Sequence, residues 1–83
     1  MGRIEKTLAR MRANPKDDWR IEDIKAIADA LKINWDHDGT SHAIFRDSDG
    51  AHVSVPAHKP VKPVYVKIFL ALVDRQEKHH ENP

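Results

Sequence analysis

Asp47-Ser48-Asp49-Gly50, a run of turn-forming residues with an alternating segment on either side, constrains this chain more than any other feature. His52–Val55 sets Val53 and Val55 on one face against His52 and Ser54 on the other. Ser41–Arg46 sets Ala43 and Phe45 against His42 and Ile44. A period of two predicts strands, and the turn between them predicts a β-hairpin. Asn34–His37 reads as a third short strand, stopped by Asp38-Gly39. The expected sheet is a three-stranded antiparallel meander, apolar on one face only. Strands this short are marginal in water until helices cover that face.

The helices are legible on both sides of the meander. Ile4, Leu8 and Met11 recur at helical spacing and predict a helix over 3–13. Asn14-Pro15 ends it, because the residue before a proline is pushed out of the α region. A second helix is expected over 20–32, with Ile21, Ile24, Ile27, Ala28 and Leu31 on one face. Glu22 and Asp23 suit its positive N-terminal end, and Trp19 just before it is placed to staple the chain onto the core. Pro56, Pro60 and Pro63 stiffen a loop. A last helix over 64–76 has Tyr65, Ile68, Phe69, Leu72 and Val73 as its expected core stripe, and the polar residues 78–83 are expected to fray. The order is α-α-β-β-β-α. The expected fold class is α+β, with helices packed on one face of the sheet and the other face open.

An 83-residue chain holds one domain, residues 1–83. Its core leaves little room for a deep cleft, so an active site is expected to be shallow and suited to a large substrate. No apolar run approaches the ~20 residues that span a bilayer, and no signal-peptide pattern opens the chain. The absence of cysteine excludes disulfides, thiolate chemistry and cysteine-based zinc sites. A net charge of +1 does not announce a nucleic-acid binder. Arg3, Lys6, Arg10, Arg12, Lys16 and Arg20 outnumber Glu5, Asp17 and Asp18 in the first 20 residues. That lobe reads as a phosphate contact or as a solvated helix face.

Six histidines include His37, His42, His52 and His58 in or around the meander. His42 follows Gly39-Thr40-Ser41 at the start of an expected strand. It is thus held by a rigid element beside a glycine that lets a ligand backbone approach. An imidazole with a reference pKa of ~6.5 is the natural proton carrier at neutral pH. RNA brings its own nucleophile, the 2′-hydroxyl, so a proton carrier and a steadied phosphate suffice to cut it. The same residue also reads as a half-buried strand histidine bonded to backbone. His58 and Lys59, in the rigid Val55-Pro56-Ala57-His58-Lys59-Pro60 loop, can present a cation to phosphate or simply face water. Arg46 and His52 face each other if the hairpin turn is tight. No metal is expected, because the histidines lack a ligand spacing such as two on one helix turn.

Gly39-Thr40-Ser41-His42-Ala43-Ile44-Phe45, Asp49-Gly50 and Val53-Ser54-Val55-Pro56-Ala57-His58 together resemble the HicA toxin family. So do Asn14-Pro15-Lys16 with Trp19-Arg20-Ile21-Glu22-Asp23, and Val61-Lys62-Pro63-Val64-Tyr65 before the last helix. The resemblance implies a fold similar to double-stranded-RNA-binding domains. It implies a cytoplasmic ribonuclease toxin that cleaves messenger RNA and arrests growth, without cofactor. His42 takes the catalytic position. Gly39, Ser41, Arg46, His58 and Lys59 are the expected RNA contacts. The implied partners are the messenger RNA and a HicB-like antitoxin that covers the active face, with no membrane. The helix over 3–13 is extra relative to the shortest members. Asp38 departs from the family, where a basic residue is common just before the glycine. A glycine often ends the helix before the first strand, whereas here the chain runs Leu31-Lys32-Ile33. The alternatives are a non-catalytic RNA-binding module of the same fold, a pure interaction protein, and a zinc-dependent hydrolase.

Overall fold

The computed structural model describes residues 2–37, 41–47, 50–57 and 59–81, with side chains through Gln76. The elements are α1 (Arg3–Ala13), α2 (Ile21–Ala30), β1 (Asn34–Asp36), β2 (His42–Arg46), β3 (His52–Pro56) and α3 (Pro63–Glu81). They follow the expected order. The strands form one antiparallel sheet in the order β1-β2-β3, with β2 central. Among the described residues no helix is long and apolar enough to cross a membrane.

The period of two decides which residues are buried. Ala43, Phe45 and Val55 are fully covered, with Trp35 and Val53 packed beside them. Asn34, Asp36, His42, Arg46, His52 and Ser54 alternate with these and are exposed. α2 packs against β1 and α3 against β3, while α1 lies on α2 and α3. Phe45 points from the central strand into this core and meets Phe69 of α3 edge-on, ring centres 5.3 Å apart. Trp35 packs at 6.5 Å on its other side.

α2 begins and ends through local bonds. The Asp23 carboxylate accepts the backbone N–H of the N-cap residue Arg20 at 3.0 Å, which satisfies one orphan donor of the first turn. Trp19 and Ile24, both buried, bracket this turn as a staple requires. Trp19 also donates its indole N–H to the Asn14 carbonyl at 2.7 Å, and its own carbonyl accepts from Val61 N–H at 2.7 Å. At the other end Ile33 N–H reaches the Ala28 carbonyl (2.8 Å) and Lys32 N–H the Asp29 carbonyl (3.3 Å). This is the Schellman pattern, and it ends the helix short of the expected Lys32. Lys32 holds the left-handed position at φ 61°, a conformation suited to glycine. Replacing it, Lys32→Gly, is expected to raise unfolding free energy by ~0.5–1 kcal/mol, because relief of the Cβ clash exceeds the added chain entropy. A urea melt with unchanged slope and a higher midpoint is the expected readout.

The sequence reading of α3 needs correction in two places. The helix starts at Pro63 and continues through Glu81, beyond the expected 64–76. Ile68, expected in the core stripe, is 38% exposed. The buried arc is instead Val66, Phe69, Leu70, Leu72, Val73 and Gln76. Ile68 sits just outside that arc, one turn after the exposed Val64, so helical periodicity puts both beside the buried face rather than on it. Gln76 is buried because it donates from Nε2 to the Leu31 carbonyl at 3.1 Å, tying α3 to the end of α2.

The hairpin turn is fixed from within. Gly50, at φ 89°, donates its N–H to the Asp47 carbonyl at 3.2 Å. Asp47 N–H donates to the Ala51 carbonyl at 2.9 Å, and Asp47 Oδ1 accepts Ala51 N–H at 3.0 Å. The Asp47 side chain is 1% exposed, and Arg75 Nε approaches its Oδ2 at 3.5 Å from α3. Asp47→Ala leaves a part-buried N–H without its acceptor, so a loss of ~1–3 kcal/mol is expected. Arg75→Ala takes its cation from a buried carboxylate, so its cost is expected to exceed the ~1 kcal/mol of a pair exposed on both sides. A loss below that in a thermal melt would contradict this account.

Candidate functional site

The open sheet face is built from three cross-strand rows. At one end His42 of β2 lies opposite Pro56 of β3. In the middle Ile44 lies between Asp36 of β1 and Ser54 of β3. At the far end Arg46 lies between Asn34 and His52. Ile44 is half-buried, and the other side chains of the face are exposed except Pro56, which is buried. The β2 backbone rises ~3.3 Å per residue, so His42 and Arg46 stand ~13 Å apart on one line.

His42 is placed by the strand rather than by a flexible loop. Its ring Nδ1 shares a 3.0 Å hydrogen bond with Ser41 Oγ. Either the hydroxyl donates to Nδ1 and the ring proton sits on Nε2, or Nδ1–H donates to Oγ and Nε2 keeps its lone pair. Both cases orient the imidazole. Ser41 is itself held, because its carbonyl accepts Ala57 N–H at 2.8 Å just beyond the end of the β2–β3 ladder. The pairing of Ser41 with Ala57 starts the loop that carries Lys59, which is exposed.

Of the residues singled out in the sequence, the fold brings Ser41 and His42 into contact. It sets Arg46 on the same face but at the opposite end, facing His52 as a tight turn requires. Gly39 and His58 lie outside the described residues, as does Asp38. His37, one residue past β1, is half-buried. Among the described residues no group of three His, Asp or Glu side chains is gathered for a metal ion. Ser54 joins His52 on this face as its alternation predicts, whereas Asn34 and Asp36 are members that the sequence alone did not assign to it. Their alternation with Trp35 was the available signal, and the β1–β2 register completes it.

The basic N-terminal lobe takes the solvated-face reading. Arg10 pairs with Asp17 (3.7 Å), Arg12 with Asp74 (2.7 Å) and Arg20 with Asp18 (3.6 Å). Arg10 also covers the Trp19 ring at 5.2 Å. These exposed pairs contribute little each, but they commit Arg10, Arg12 and Arg20 to carboxylates of the same chain. Lys25 is similarly laid on the Trp35 ring at 4.8 Å, and Trp35 donates its indole N–H to Asp29 at 2.8 Å. Neither arrangement reaches the open face.

Comparisons of the chain with protein-family models, with curated proteins and with solved structures return no match, so the functional reading rests on this face and its chemistry.

Proposed function

We propose that this protein is a metal-independent endoribonuclease, the toxin of a type II toxin–antitoxin pair. It cleaves messenger RNA in the cytoplasm with His42 as the proton carrier. One observation carries the reading: His42 stands exposed at the start of the central strand, on the helix-free face, with Ser41 on Nδ1. Helices on one side and a working sheet face on the other agree with the HicA-like pattern around Gly39–His42 and Val53–His58, and with a fold like double-stranded-RNA-binding domains. A shallow, flat site accepts a polymer.

The chemistry asks little of the protein. The RNA 2′-hydroxyl loses a proton and attacks the adjacent phosphorus, and the 5′-oxygen leaves with a proton. Products are a 2′,3′-cyclic phosphate and a 5′-hydroxyl. His42 Nε2 takes or gives one of these protons, while Ser41 holds the ring. Lys59 stands in the loop that begins beside Ser41, and it offers charge to the phosphate. A HicB-like antitoxin covering the open face would block all of this at once.

The test is purified protein with transcript RNA in the presence of a chelator. Cleavage is expected, together with growth arrest on induction in bacteria. An RNA with one 2′-deoxy nucleotide at the cleaved position is expected to resist. Tight, salt-sensitive binding with intact RNA after hours would instead make this a binding module of the same fold.

A further inference from the structure

The chain's five aromatic residues are all accounted for, and none stands on the open face. Trp19, Phe45 and Phe69 are buried. Trp35 and Tyr65 pack against the core. Single-stranded RNA is usually read by stacking bases on exposed aromatic rings. That route is closed here. Among the described residues the face carries the Asp36 carboxylate in its middle row and basic side chains at the end remote from His42. Arg46 and His52 are directly opposed across β2 and β3, and both are exposed. Among the described residues Arg46, like Arg3 at the far end of the chain, has no aspartate partner, whereas Arg10, Arg12, Arg20 and Arg75 are each tied to one. Among the described residues no carboxylate pairs with Arg46 or His52.

Resting on the ribonuclease reading above, we infer that Arg46 and His52 form a second phosphate subsite for a single-stranded RNA running along β2. A guanidinium beside an imidazole, with the Asn34 amide at the third corner of the row, supplies several N–H donors to one phosphate. The ~13 Å between His42 and Arg46, set by strand rise, spans about two nucleotide steps of an extended strand. Ile44, half-buried between the two ends, gives the sugar backbone an apolar surface to cross. The substrate is therefore held by its backbone, in register, and its bases are hardly read.

The experiment compares cleavage of a dinucleotide, which has only the scissile phosphate, with cleavage of tetranucleotides, in adenosine and uridine series. Arg46→Ala is expected to lower kcat/KM about tenfold on tetranucleotides, through KM, and to leave the dinucleotide unchanged. Arg46→Ala with His52→Ala is expected to lower it further, and Arg46→Lys to restore most of it. Binding to a His42→Ala background should lose salt dependence by ~0.7 in log–log slope for each phosphate contact removed. The parent should cleave the two base series within a few-fold of each other. Equal losses on dinucleotide and tetranucleotide would assign Arg46 a structural role and overturn the subsite. A preference above a hundredfold for one base would overturn backbone reading. If the parent cleaves RNA and Arg46→Ala changes nothing, the subsite falls and the ribonuclease remains. If the parent cleaves no RNA of any length, both fall.

Discussion

On the proposed ribonuclease reading, His42→Ala is expected to remove growth arrest and to lower RNA cleavage by ~10²–10⁴-fold, the contribution general acid–base catalysis makes. The fold should be untouched, because His42 is exposed and its strand is paired through backbone on both sides. Circular dichroism and the melting midpoint of the variant should overlay the parent. Binding of RNA should change by only a few-fold, since the loss falls on proton transfer. Ser41→Ala is a graded control. It keeps the imidazole and removes the Ser41 hydroxyl from Nδ1, so a loss well short of that of His42→Ala is expected. A His42→Ala variant that cleaves at the parental rate would remove the proton-carrier assignment outright.

The largest effect on stability belongs to Phe45→Ala. Phe45 is fully buried at the centre of β2, between Trp35 at 6.5 Å and Phe69 at 5.3 Å. Truncation loses the transfer free energy of the ring and leaves a cavity, at ~3–5 kcal/mol for this substitution. A domain of this size has only ~5–15 kcal/mol in hand, so the variant is expected to be poorly folded near body temperature. Urea titration should show a midpoint cut by a third or more. Phe45→Leu, which refills much of the space, should recover over half the loss. A Phe45→Ala loss below ~1 kcal/mol would mean that α3 does not close over β2 as described.

The two variants act on opposite faces of one strand, and that explains what the sequence disclosed. Alternation is a local property, so Ala43 and Phe45 could be assigned inward and His42 outward without knowing the partners. The same holds for α1 and α2, where Leu8, Met11, Ile24 and Ile27 recur at the spacing of one helix face. The ends of elements depend on less regular signals. α2 stops two residues before Lys32 because a lysine accepts the left-handed position that a glycine usually marks, and lysine carries no such warning. Ile68 misled because a helix packed on a narrow sheet buries only the arc the sheet can reach. An apolar residue just beyond that arc has the right period and no cover.

The site was legible in its parts and only partly in its layout. His42, Ser41 and Arg46 were nameable from position and chemistry. That Arg46 faces His52 was legible from the tight turn between their strands, and its place on the line of His42 from alternation; that Asn34 completes the row follows from the β1–β2 register, which no single segment encodes. The buried carboxylate of Asp47 was also hidden. Asp47 reads as one more turn former until Arg75, far along the chain, is seen to approach it from α3.

The contact between Phe45 and Phe69 has a consequence for the order of events during synthesis. Neighbouring strands of the meander can find one another early, since sequence-local pairings form fastest. α2, which packs on β1, is made before them, but the cover over β3 and Phe45 comes from α3, which leaves the ribosome after all of them. Until that helix emerges, β3 and the Phe45 ring lack the cover that α3 supplies. The core of such a chain is closed only once α3 has docked, and the interval before docking is the one in which the apolar side of β3 and the Phe45 ring stand open to other chains.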